Sequence, residues 1–291
     1  MSTHIRKVHA RRIWDSRGRP TVEVDMLLDD GTLGRGIAPA GASTGTHEAV
    51  ELRDGGSVHG GFDVMNAIAS VNQQIAPAIT GKDVMDQRAI DSLLIALDGT
   101  ANKSRLGGNA LIATSMAALQ AAANARHLPL WRHLAGDNNV QLPLPEIQIF
   151  GGGAHAGRRI DIQDLLVMPV GAHSMDQALA MVADVYRAAG DLMTAAGKRA
   201  GVADEGGWWP DFASNEEALQ MLTRSIERAG YTRGEVMISL DIAASEFGSN
   251  GVYRPALEGR AYERDEWIAV LLDWLARYPI LSIEEIGRAH V

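Results

Sequence analysis

Two carboxylates in this chain stand where β-patterned runs stop. Asp241 follows the apolar run of "VMISLDIAASEF", and Glu284 does the same in "ILSIEE". Catalytic groups of an α/β barrel lie at the C-terminal ends of its strands. Acids from successive strand ends therefore converge into an oxygen-rich site suited to Mg²⁺. One acid after a strand is commonly a turn residue or a helix cap; two at equivalent positions favour the metal.

Three loops carry the other candidate chemistry. In "PAGASTGTHE" (39–48), backbone N–H groups with Ser43 and Thr44 could cradle a phosphate or ligate a metal, or the stretch is a plain surface loop. It is not a P-loop, because the Lys-Ser/Thr ending is absent. In "FGGGAHAGRRIDIQD" (150–164), three glycines allow close backbone approach, and His155, Arg158 and Arg159 could meet an anion. The alternative is a glycine loop with solvated arginines. In "GVADEGGWWPD" (201–211), Trp208 and Trp209 beside Glu205 could desolvate it and raise its pKa for acid–base work, or could simply anchor the loop.

The composition narrows the partners. The 291 residues are 46% hydrophobic and 22% charged, enough for one large domain or two medium ones. A formal net charge of −9 disfavours nonspecific nucleic-acid binding and anionic membranes. Without cysteine there is no disulfide, thiolate metal site or cysteine nucleophile. The polar start "MSTHIRKVHARRIWDSRG" lacks a signal-peptide apolar region, and no apolar run approaches about 20 residues. A soluble cytoplasmic protein with no membrane span is the expectation.

The elements that must position these residues follow from periodicity. Residues 4–40 read as β-rich, with a turn at Asp29-Asp30-Gly31. Val64, Ile68, Val71 and Ile75 form one helical stripe, and Ile90, Leu93, Leu94 and Leu97 a second. The Ala-rich "GGNALIATSMAALQAAANARH" predicts a helix packed on several sides, and "PLWRHLAG" a short one stopped by Gly136. A domain boundary falls near Gly136–Gln141. Beyond it, "IQIFGGG" starts a strand, and strands (163–167, 236–240, 279–283) alternate with helices (175–198, 216–228, 264–277), which argues for a mainly parallel sheet or barrel.

Taken together the motifs resemble enolase, the phosphopyruvate hydratase of glycolysis. "WDSRGRPTVEV", "GASTGTHEAVELRDG", "LDGTANKSRLGGNA", "GAHAG", "DEGG" and "LDIAASEF" occur in enolase order and cover the chain up to Glu284. The resemblance implies an N-terminal α+β domain (1–136) and an incomplete barrel (141–284) that begins with two antiparallel strands. It implies Mg²⁺-dependent dehydration of 2-phosphoglycerate to phosphoenolpyruvate, and a homodimer formed largely through the N-terminal domain. Carried over by motif, Asp241 and Glu284 are two of three carboxylates holding one Mg²⁺, and Ser43 closes over substrate and ligates a second. His155 lies near the phosphate, Glu205 assists departure of the hydroxyl, and Gln163-Asp164 stands at the family's Gln-Glu pair.

Several positions depart from the pattern. Asp164 is one methylene shorter than the usual Glu, and a displacement of about 1 Å can cost about 100-fold in rate. "FGGGAHAG" replaces "NGGSHAG", and "GGWWP" is bulkier than usual. The stretch from Gln141 onward is far short of the roughly 250 residues of a complete barrel. In the family, the third metal carboxylate, the general-base Lys, a phosphate-binding Arg and a second active-site Lys follow the position of Glu284. The expectation is an enolase segment inactive by itself; the alternatives are a paralogue acting on another substrate and a non-catalytic binding or dimerisation module. Residues 285–291 can be encoded by a string that reads like a short-read sequencing adapter, so they are expected to be a non-native tail.

Overall fold

The computed structural model describes residues 2–41, 45 and 47–286, which places Ser43 and most of the expected tail outside the described residues. They divide into two compact units, Met1–Val140 and Gln141–Val291. No helix among the described residues is long and apolar enough to cross a membrane.

The first unit is a three-stranded antiparallel sheet covered by helices. Its strands are β1 (Ile5–Trp14), β2 (Pro20–Leu28) and β3 (Leu33–Ala38), in that order. The helices are α1 (Met65–Ser70), α2 (Ala76–Ile79), α3 (Gln87–Asp98), α4 (Gly108–Ala125) and α5 (Leu130–Ala135). The Val64–Ile75 stripe is buried as expected, although a wider π turn at Val71–Ile75 joins α1 to α2. Asp86 caps α3 by accepting the Ala89 N–H at 2.9 Å, and Gly99 ends it at φ +71°.

The small residues of α4 have a steric cause. Val22, Val24, Met26 and Leu28 of β2 lie in one core with Ala110, Ala113, Ala117 and Ala121. On β3 the glycines bring strand and helix backbones together: a Cβ on Gly36 would stand 2.1 Å from the Ala113 carbonyl oxygen, and one on Gly34 2.3 Å from that of Ala117. Larger residues on either side would force the layers apart.

The second unit is built on a six-stranded sheet in the order β12-β8-β5-β4-β7-β6. In sequence it comprises β4 (Ile147–Gly151), β5 (Asp164–Met168), α6 (Met175–Ala195), β6 (Arg199–Val202), β7 (Trp208–Pro210), α7 (Asn215–Arg228) and β8 (Met237–Asp241). A small sheet of β9 (Gly248–Ser249), β10 (Val252–Tyr253) and β11 (Tyr262–Glu263) precedes α8 (Arg264–Arg277) and β12 (Ile280–Glu284). Ser174 and Ser214 cap α6 and α7, and a Glu263–Glu266 capping box starts α8. One apolar core takes in Phe150, Leu165, Val167, Val185, Leu222, Ile238, Leu240 and Trp267.

The mainly parallel sheet is corrected. β12 pairs parallel with β8 and β4 with β7, but β5 is antiparallel to both β4 and β8, and β6–β7 is an antiparallel hairpin. The β4–β5 connection has no crossover helix, only a short 3₁₀ turn, so the strand it leads to returns antiparallel. The arrangement is an incomplete barrel that opens with two antiparallel strands. Of the expected tail, Glu285 and Ile286 are described: the Glu285 carbonyl accepts the Ala244 N–H at 2.9 Å, and that of Ile286 accepts the Trp267 indole N–H at 3.3 Å.

Gly36→Ala is expected to destabilise the first unit by about 1–3 kcal/mol, because the new methyl enters α4 backbone rather than a flexible side chain. Urea unfolding measures it; an unchanged midpoint would mean that α4 shifts away freely.

Candidate active site

Strand register sets the site along one edge of the large sheet. Gly151 at the end of β4 pairs with Asp164 at the start of β5; Asp164 pairs with Asp241 at the end of β8, and Asp241 with Glu284 at the end of β12. Register partners on neighbouring strands share a face, so the three carboxylates form a row.

The glycine loop after β4 brings in His155. Gly152 N–H donates to the Gln163 carbonyl at 2.7 Å and Gly153 N–H to that of Ile160 at 2.9 Å. A Cβ on Gly152 would lie 2.2 Å from the Ile162 carbonyl oxygen, so this glycine serves packing of the loop on its own return. His155 then sits on the 3₁₀ turn Gly153–Ala156 with its side chain only 2% exposed.

Around His155 the side chains converge. Its Nδ1 is 2.8 Å from Asp204 Oδ1, and its Nε2 is 3.4 Å from Glu205 Oε1 and 3.8 Å from Asp164 Oδ2. Asp204 and Glu205 lie in the β6–β7 turn, where the Ala203 N–H donates to the Gly207 carbonyl at 2.8 Å and Gly206 takes φ +98°. The Gln148 amide donates to Asp164 Oδ1 and, at 3.3 Å, to Glu205 Oε2, while its carbonyl accepts the Gly207 N–H at 2.8 Å. The Gln163 amide donates to Asp241 Oδ2 at 3.1 Å, and Asp241 Oδ1 accepts the Ala243 N–H at 3.0 Å.

The electrostatics are those of crowded acids. Burial pushes Asp164 above the usual carboxylate range, against the pull of the Gln148 amide and of His155. Burial also raises Asp241, with the charges of Asp164 and Glu285 acting the same way. Glu284 is raised by partial desolvation and then by Asp241, Glu146 and Glu285. Among the described residues, the three groups close enough to share a metal ion are His155, Asp164 and Glu205; Asp241 and Glu284 are register partners that offer the oxygen ligands a hard divalent cation takes.

Other expectations turn out differently. Arg158 pairs with Glu246 at 2.5 Å and Arg159 with Asp211 at 2.8 Å, so each guanidinium already meets a carboxylate. The tryptophans do not desolvate Glu205, whose side chain is 52% exposed. Trp208 stacks on Tyr186 with centroids 4.6 Å apart and donates to the Tyr186 carbonyl at 2.8 Å, which anchors the loop. Gln148 and Asp204 were missed. Gln148 had one signal, a lone amide between Ile147 and Ile149 in a buried strand; Asp204 stood inside "DEGG" beside the residue singled out.

The sequence comparisons agree with this architecture. The enolase N-terminal domain model matches residues 5–134, and the enolase C-terminal TIM barrel domain model matches residues 139–287. Together they define a two-domain class, an N-terminal domain followed by a TIM barrel domain. The chain belongs to the enolase family. It is 53% identical over 285 residues to Enolase 1 of Desulfitobacterium hafniense (strain Y51), an alignment covering 97% of this chain. The chain spans 65% of the length of that relative.

A folded-state pKa above the unfolded one means that folding takes up a proton, so Glu284 lowers stability as pH rises from its unfolded value of about 4.5 through its folded one. Glu284→Gln is therefore expected to raise the melting temperature of the metal-free chain at pH 7 and to leave it unchanged at pH 4. A gain of equal size at both pH values would show that charge repulsion is not its cause.

Proposed function

We propose that this chain carries the metal-holding and acid-assisting part of an enolase site, for dehydration of 2-phosphoglycerate to phosphoenolpyruvate. The observation that supports this reading is the row Asp164–Asp241–Glu284 on one sheet edge, with His155 and Glu205 on the two loops beside it. Asp241 and Glu284 would hold one Mg²⁺. When bound, Mg²⁺ supplies the positive charge that a substrate carboxylate needs as the proton beside it leaves. Gln163 fixes the Asp241 carboxylate by its amide. Glu205, partly exposed and steadied by Gln148, delivers a proton to the departing hydroxyl. His155, oriented by Asp204, faces the phosphate end of the substrate.

By the family resemblance, the general-base Lys and the third metal carboxylate follow the position of Glu284. By itself this chain is therefore expected to bind Mg²⁺ without turnover. Calorimetry should detect Mg²⁺ binding that Asp241→Asn weakens at least 10-fold, and a phosphoenolpyruvate assay should detect no product. Mg²⁺-dependent product formation overturns the inactivity; binding that Asp241→Asn leaves untouched overturns the metal assignment. Homodimerisation through residues 1–136 and a cytoplasmic location belong to the same reading.

A second reading, a paralogue acting on another phosphorylated or carboxylate substrate, is favoured by the shorter Asp164 inside the site. A version extended to the family's length, assayed with 2-phosphoglycerate, separates the two. No turnover despite bound Mg²⁺ favours the paralogue.

A further inference from the structure

The four side chains around His155 divide their atoms between two shells. Gln148 engages the outer oxygens, Asp164 Oδ1 and Glu205 Oε2, while the inner oxygens, Asp164 Oδ2 and Glu205 Oε1, face His155 Nε2. Asp204 accepts at Nδ1, which selects the tautomer with its proton there and turns the Nε2 lone pair inward. Among the described residues that Nε2 makes no hydrogen bond, on a side chain only 2% exposed. One lone pair thus points at two carboxylate oxygens with nothing positive between them.

The distances fit an ion. A tetrahedral zinc shell with nitrogen and oxygen ligands at about 2.0–2.2 Å has ligand–ligand edges of about 3.3 Å. The two edges at Nε2 are 3.4 and 3.8 Å, and all three donors lie within 4.8 Å of one another. A carboxylate behind the histidine is the usual outer partner of a metal-bound imidazole. An imidazole donor suits Zn²⁺ or Co²⁺ and is poorly matched to Mg²⁺.

We infer that His155 Nε2, Asp164 Oδ2 and Glu205 Oε1 form a binding site for a borderline divalent cation of the Zn²⁺ or Co²⁺ kind, separate from the oxygen-only Asp241–Glu284 pair. The site rests on these contacts and not on the proposed reaction.

Titration of the 291-residue chain with Co²⁺, followed by visible absorption and competed with Zn²⁺ or Mg²⁺, tests it. The expected result is one Co²⁺ with nitrogen-ligand bands, displaced by Zn²⁺ and not by excess Mg²⁺. His155→Gln and Glu205→Gln should each weaken it at least 10-fold, and Asp204→Asn about 10–100-fold. Glu205 is half-exposed, so its variant reads out the site even if His155→Gln fails to fold. Bands that survive the Glu205 variant, or that Mg²⁺ displaces as readily as Zn²⁺, overturn the inference.

Discussion

Everything at the site depends on β5 running antiparallel to both of its neighbours. Were it parallel, the start of β5 would lie at the opposite edge of the sheet, far from the ends of β4, β8 and β12. Reversed, it sets Asp164 in register with Asp241, and through Asp241 with Glu284. A connection with no crossover helix makes the reversal possible, and the glycines of the 151–153 segment let that connection fold tightly on itself. Three acids on one edge are thus a consequence of topology before they are a matter of chemistry.

Such a row is costly, and the chain holds it with amides rather than cations. Gln148 and Gln163 donate to Asp164, Glu205 and Asp241 without neutralising them. A lysine or arginine in either place would form a closed ion pair and lower the carboxylate pKa values. Neutral donors fix the geometry and leave the charge available. The stability to hold it comes from elsewhere, from the core beneath the sheet and the capped helices α6, α7 and α8.

The sequence made some of this legible and not the rest, for physical reasons. Helix α8 and its expected span coincide because period and cap coincide, and α4 was readable because small residues all round permit only close packing. Strand direction was not readable, since periodicity reports which face is buried and not which way a neighbour runs. The hairpin β6–β7 was hidden because its strands are short and its turn looks like loop. Asp241 and Glu284 stood out at strand ends. Gln148 did not, because an amide in a buried strand is ordinary until its partners, 16 and 57 residues away, are known.

Each residue of the motif "DEGG" has a separate task. Asp204 orients His155, and Glu205 extends its carboxylate toward the same imidazole. Gly206 takes a positive φ that closes the turn. Gly207 makes room: a Cβ there would stand 2.3 Å from Gln148 Oε1, the atom that accepts the Gly207 N–H. A side chain at 207 would push Gln148 off that anchor and release both carboxylates its amide holds. The second glycine therefore acts on Asp164 and Glu205 without touching either, through Gln148, whose amide ties the β4 strand to the β6–β7 turn.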